Sequence, residues 1–209
     1  MYSWREVHAQ LSGFTTTTPN DKIETVTPMR FASVMHLDTN GKRKTTQMRW
    51  GFAKRSAAAP GNKPDHIHAR AETIDELPTF RDAFAHRRGL LIVRTFNEGK
   101  TLPNGKTEQH TITPNDGIPI AIALIYERWQ HDKGDELLTY VMVTVPPNKL
   151  IATITDRMPA IIPEEDWGKW LGETPASQAE LKALLITKEP EWTMRLEKKD
   201  NTGIQPSLF

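Results

Sequence analysis

The sequence predicts an α+β fold, on three observations. Strand-like segments dominate the chain, the helical segments between them are short, and no regular strand–helix–strand alternation connects them. At 209 residues the chain is long enough to bury a sizeable core. Residues 1–197 read as one domain, and residues 198–209, polar until the last two, as a flexible tail.

Met29 to Met35 (MRFASVM) is strand-like, Asp38-Thr39-Asn40-Gly41 reads as a hairpin turn, and Lys42 to Trp50 returns. Residues 53–65 carry two prolines and a glycine without periodicity, which predicts a loop. His66 to Arg70 looks extended and leads into a helix over Thr79 to Arg88, with Phe80, Ala83 and Phe84 on one face. Gly89 to Val93 reads as a buried strand. Turns at Pro103-Asn104-Gly105 and Pro114 to Gly117 bracket a further short strand. Two strong strands follow, Ile118 to Tyr126 and Leu137 to Val145, joined by the polar turn His131 to Asp135. Pro163 suits the first turn of a helix holding Trp167, Trp170 and Leu171, and Thr174-Pro175 starts another with Leu181, Leu184 and Leu185.

Composition narrows the function classes. Lysines and arginines number 27 against 26 aspartates and glutamates, a net charge of +1. That argues against a polyelectrolyte-type nucleic-acid binder but leaves room for a local basic groove. The chain has no cysteine, which removes disulfides, cysteine zinc sites and thiolate catalysis. No apolar run approaches membrane-spanning length and Met1 to Gln10 holds no long apolar stretch, so a soluble cytoplasmic protein without membrane contact is expected. His66 and His68, two apart on an extended segment, project to one face as a metal pair would. Without a third ligand at suitable spacing (Glu72 and His86 are the candidates) they read as polar surface groups, and no metal or other cofactor is expected. No nucleophile elbow, P-loop or dinucleotide fingerprint is present.

Several segments share an order and spacing that together are specific: Thr25-Val26-Thr27-Pro28, Met48-Arg49-Trp50-Gly51-Phe52, His68-Ala69-Arg70-Ala71-Glu72-Thr73, Pro78-Thr79-Phe80-Arg81, Phe96-Asn97-Glu98 and Thr155-Asp156-Arg157-Met158-Pro159. In this order they resemble the SOS-response-associated peptidase family (SRAP, or abasic-site-processing, proteins). The resemblance implies a bent, partly barrel-like mixed sheet with flanking helices and a groove for single-stranded DNA. It also implies attachment to abasic sites through an N-terminal cysteine, whose α-amine forms a Schiff base with the sugar aldehyde before its thiol closes a thiazolidine.

Of the four catalytic positions that the family implies, Tyr2 stands in place of the cysteine, His68 of an asparagine and Thr155 of a histidine, and only Glu98 matches. A thiazolidine cannot form on this chain. Glu98 is either a proton shuttle or a solvated carboxylate at a strand end. Arg70 and Arg157 match arginines of the family's DNA-binding face, where a guanidinium suits bidentate phosphate contact. The alternative is a structural ion pair, such as Arg70 with Glu72 or Arg157 with Asp156. Trp50 and Phe52 are candidates for stacking on unpaired bases, although aromatic residues at strand ends are more often core.

The end of the sequence, Gln205-Pro206-Ser207-Leu208-Phe209, resembles the short peptides by which bacterial repair proteins bind the sliding clamp: Leu208 and Phe209 for an apolar pocket, Gln205 as polar anchor. The alternative is that Leu208 and Phe209 pack back onto the domain. The expected function is binding of single-stranded or abasic DNA in the DNA-damage response without crosslinking. A Schiff-base lyase or autopeptidase using the N-terminal amine or a lysine with Glu98 is the enzymatic alternative. A protein-binding module that keeps only the fold is the third.

Overall fold

The computed structural model describes residues 25–53, 61, 63–130 and 136–197. Strands β1 (Phe31–Leu37) and β2 (Arg43–Trp50) form the hairpin that the sequence predicts, in register from Phe31 opposite Arg49 to Leu37 opposite Arg43. Asp38 builds its turn: Oδ1 accepts from the backbone N–H of Asn40 at 2.8 Å and of Lys42 at 2.9 Å. The remaining strands are β3 (His68–Arg70), β4 (Arg88–Val93), β5 (Phe96–Thr101), β6 (Thr107–Pro114), β7 (Ile120–Gln130), β8 (Glu136–Val145), β9 (Met158–Pro159) and β10 (Trp192–Leu196). Among the described residues three short helices accompany them: α1 (Arg81–His86), α2 (Trp167–Leu171) and α3 (Gln178–Ala183).

Among the described residues the larger sheet runs β2-β1-β4-β7-β8-β3, with β9 on β8. Parallel pairing of β2 with β8, Arg49 opposite Thr139 and Trp50 opposite Tyr140, closes β2, β1, β4, β7 and β8 into a barrel. The fold is therefore the α+β, partly barrel-like arrangement of the expectation. A separate three-stranded sheet, β10-β6-β5, packs its Phe96, Ile112, Trp192 and Met194 against the same core.

Strand β7 shows why the barrel forms. Ile120 to Ile125 are all buried, because alternate residues face the barrel interior and the covering elements, so the strand is apolar on both sides. Gly89 in β4 is required by close approach: a Cβ there would stand 2.9 Å from both the Met35 carbonyl and Val34 Cγ1. Arg88, beside it, pins the helices. Its Nη1 donates to the carbonyls of Phe84 (2.7 Å) and Ala85 (2.6 Å) at the end of α1, and its Nε donates to the Trp170 carbonyl of α2 at 2.6 Å. Trp170 returns a bond from Nε1 to the Gly89 carbonyl at 2.9 Å.

The structure corrects several expected elements. The helix expected over 79–88 is only α1, because Arg87 and Arg88 are drawn into the ladder with β7: the Tyr126 N–H donates to the Arg87 carbonyl. Pro163 caps a 3-10 turn, Glu164–Asp166, that precedes α2. Helix α3 starts at Ser177 rather than Thr174-Pro175, since Ser177 and Glu180 form a reciprocal capping box. Strands β5 and β10 were not expected.

Candidate functional site

The register around β8 assembles the site. Strands β2 and β3 both run parallel to β8, pairing Trp50 with Tyr140, His68 with Met142 and Arg70 with Thr144. Ladder partners project to one face, so these side chains form a continuous row toward the C-terminal end of β8. Gly51 makes the exit from β2 possible: it sits at φ 128°, its N–H donates to the Tyr140 carbonyl at 2.9 Å, and a Cβ would stand 2.8 Å from Pro64 Cβ.

Trp50 is held on three sides. Its Nε1 donates to the Ile67 carbonyl at 2.9 Å, its ring stacks on Tyr140 at 6.5 Å with 13° between planes, and the His68 ring lies 6.0 Å away. The indole is thus half core and half rim, while Phe52 is fully core, edge-on to Phe80 at 5.6 Å. His68 presents an exposed edge, yet desolvation of the rest of its ring lowers its pKa, so it is neutral at physiological pH and able to accept or donate a hydrogen bond without carrying charge. Tyr140 is buried, and its hydroxyl has no hydrogen-bond partner among the described residues.

The two arginines differ. Arg70 is exposed, and its guanidinium makes no hydrogen bond or ion pair among the described residues. Arg157 is engaged through its terminal nitrogens, which donate to Glu72 Oε1 at 2.6 Å and Oε2 at 2.8 Å, and Nη2 also donates to the Thr144 carbonyl at 2.7 Å. Its buried Nε has no partner among the described residues. The structural pair is thus Arg157–Glu72, and neither Arg70–Glu72 nor Arg157–Asp156 forms an ion pair within contact distance. Glu72 is held below the usual carboxylate range, first by its hydrogen bonds from Arg157 and more weakly by the charge of Arg70. Thr155 closes the turn after the 3-10 segment Ile151–Thr153, its N–H donating to the Ile151 carbonyl at 3.0 Å, two residues before Arg157.

Glu98 lies on the other sheet, in β5, directly opposite His110 of β6. Its carboxylate makes no hydrogen bond or ion pair among the described residues, and partial burial pushes it up to about 7. A group at that value both gives and takes a proton near neutrality. The neighbouring Gly99 has no room to spare: a Cβ would meet Thr107 Cγ2 at 2.7 Å.

The histidine pair does not share a face. His66 packs edge-on to Phe80 at 5.2 Å while His68 faces Trp50, and no group of three potential metal-binding side chains occurs among the described residues. Among these residues, too, no helix is long and apolar enough to cross a membrane. Tyr2, Gln205, Leu208 and Phe209 lie outside the described residues. No sequence pattern marks Glu72 as the counter-ion of a residue 85 positions away, or Thr144 as the carbonyl that seats it; both depend on the β3–β8 register.

Comparison with known proteins gives a consistent result. The family profile described as SOS response associated peptidase (SRAP) matches residues 4–199. The chain is 30% identical over 150 residues to the abasic site processing protein YoqW of Bacillus subtilis, a match covering 71% of this chain and 66% of that protein. It is 29% identical over 151 residues to YobE of the same organism, an abasic site processing protein as well, covering 72% of this chain and 68% of the relative. The chain therefore spans about two thirds of the length of these curated relatives. Crystal structures of a protein from Bacteroides thetaiotaomicron (TM-score 0.71, 24% identity, 82% of this chain and 75% of the other) and of one from Bordetella bronchiseptica (TM-score 0.74, 22% identity, 92% and 95%) share the fold. With a profile matched over nearly its whole length, this chain belongs to the SOS response associated peptidase family.

Proposed function

We propose that this protein binds single-stranded DNA, abasic strands included, in the response to DNA damage, and does so without thiazolidine crosslinking. The observation that carries the reading is Arg70, an exposed guanidinium without a partner among the described residues, on the same row as Trp50 and next to the Arg157 fork. A free guanidinium at a strand end is suited to a phosphate, and the exposed part of the indole on the same row to an unpaired base. The relatives named for abasic site processing support damaged DNA as the ligand class, and the absence of any cysteine in the chain leaves no thiol to close the ring.

Fluorescence anisotropy with intact and abasic single strands at several salt concentrations tests it. Binding of both is expected, weakening with salt, and Arg70→Gln should reduce the salt slope by about 1. No affinity for either strand overturns the reading.

Glu98 favours a second, enzymatic reading. An amine of the chain would condense with the abasic aldehyde to an imine, releasing water, and a carboxyl that titrates near 7 suits protonation of the departing oxygen. Borohydride trapping on an abasic strand separates the two, since only the imine leaves a covalent adduct. Recruitment by a sliding clamp through Gln205, Leu208 and Phe209 is a further part of the proposal. Its support is the sequence pattern alone, and loss of clamp binding on replacing Leu208 and Phe209 by alanine is its test.

A further inference from the structure

One corner of the barrel holds an aromatic ring and two arginines that the fold itself does not use. Phe31 opens β1 with 51% of its surface exposed, whereas Phe52, Phe80 and Phe84 are buried. It stands directly opposite Arg49 of β2, and antiparallel partners have Cβ atoms about 5 Å apart on one face.

Arg49 is half-buried, and its Nε makes no hydrogen bond among the described residues. Buried guanidinium donors ordinarily find acceptors, so this one has an unmet demand for an oxygen. Desolvation also lowers its pKa, the expected cost of a cation with no counter-ion. The next row on this face cannot supply one: Gln47 donates to the Ser33 hydroxyl at 2.8 Å, a neutral pair closed on itself. Glu127, beyond Thr139 in the same row, already accepts from Arg87 at 2.9 Å.

The corner is also fixed in place. Met29 is at φ 71°, the one left-handed non-glycine residue among those described, a conformation costly for a side chain with a Cβ. Its N–H donates to the Trp50 carbonyl at 2.7 Å, and the Trp50 N–H donates to the Arg30 carbonyl at 2.9 Å. Those two bonds hold the exposed Arg30 and Phe31 against the strand end that carries Trp50.

We propose that Phe31 and Arg49 form a second nucleotide subsite, where a base of single-stranded nucleic acid stacks on Phe31 and Arg49 donates to the adjoining phosphate. Arg30 adds positive charge at the entrance. Two cations with no free carboxylate in their rows complement a phosphate chain better than a protein surface. The subsite rests on the DNA-binding reading above and extends it from the Arg70 row around the end of β2, so a longer strand engages both.

The test compares a trinucleotide with a dodecanucleotide carrying 2-aminopurine, using the full chain. Phe31→Ser and Arg49→Gln should each weaken dodecanucleotide binding by about 10-fold and leave the trinucleotide unchanged, while Phe31→Trp restores both affinity and 2-aminopurine quenching. Arg70→Gln should weaken both strands. Phe31 is exposed, so its variants should melt with the wild type even if Arg49→Gln does not. If Phe31→Ser binds the dodecanucleotide as tightly as wild type while Arg70→Gln weakens it, the subsite is overturned and the DNA-binding reading stands. If the wild type binds neither strand, both fall.

Discussion

The rim at the end of β8 and the small sheet that carries Glu98 treat charge in opposite ways. At the rim, Arg157 is seated in a two-toothed pair with Glu72 and on the Thr144 carbonyl, and Glu72 responds with a carboxyl held below its usual range. On β5, the carboxyl of Glu98 is partly buried without a partner among the described residues and is pushed up to about 7. The first region keeps its charges at every physiological pH and is suited to holding a strand. The second changes charge near neutrality, which binding does not require and proton transfer does. A single chain thus carries an ion-paired rim on one sheet and, on another, a carboxyl poised to titrate.

The comparison breaks most visibly at Arg157. Arg157→Met takes the charged donor from the Thr144 carbonyl, which keeps the Ala71 N–H at 2.9 Å, and both donors from the half-exposed Glu72 carboxylate, and a loss of about 2 kcal/mol in urea unfolding is expected. A variant as stable as wild type would mean that the fork contributes charge only and no scaffolding.

Glu98 should behave in the reverse sense. Its folded pKa of about 7 lies above the ordinary 4.5, so folding favours the protonated form. Stability is then lost as pH rises from 4.5 through 7 and stays lower above. Glu98→Gln, which cannot ionise, should be more stable than wild type by about 2 kcal/mol at pH 8, with the difference vanishing near pH 4. Parallel stability curves from pH 4 to 8 would show that the carboxyl is solvated and would remove the contrast with the rim.

Much of the barrel was legible in the sequence because its signals are local. The Asp38 turn and the run Ile120 to Ile125 each carry their reason within a few residues. Strand β5 escaped because Asn97, Glu98, Gly99 and Lys100 carry no apolar alternation, whereas β10 does alternate, Trp192, Met194 and Leu196 against Thr193 and Arg195, but is only five residues long. Their sheet packs through only a few side chains, Phe96, Ile112, Trp192 and Met194. The site was legible as a set of residues through the family resemblance, yet its electrostatics were not. That Arg70 is free and Arg157 engaged is decided by the register of β3 on β8 and by Glu72. Nothing near Glu98 in sequence announces its burial; that follows from how the small sheet closes on the core.

Glu72 gives the smallest effect and the sharpest reading of the rim. Its carboxylate occupies the donor pair of Arg157 that a phosphate would need, so Glu72→Gln should raise affinity for single-stranded DNA about 3-fold at low salt, where the charge is least screened. The stability cost should stay below about 1 kcal/mol, since the pair is partly exposed and the amide oxygen still accepts one bond. Anisotropy titrations on wild type and variant decide between two designs. A rise means that Glu72 competes with the strand and tempers binding. A fall means that Glu72 holds the Arg157 fork in position, so that the strand is read by Arg70 and the ion pair is scaffold beneath it.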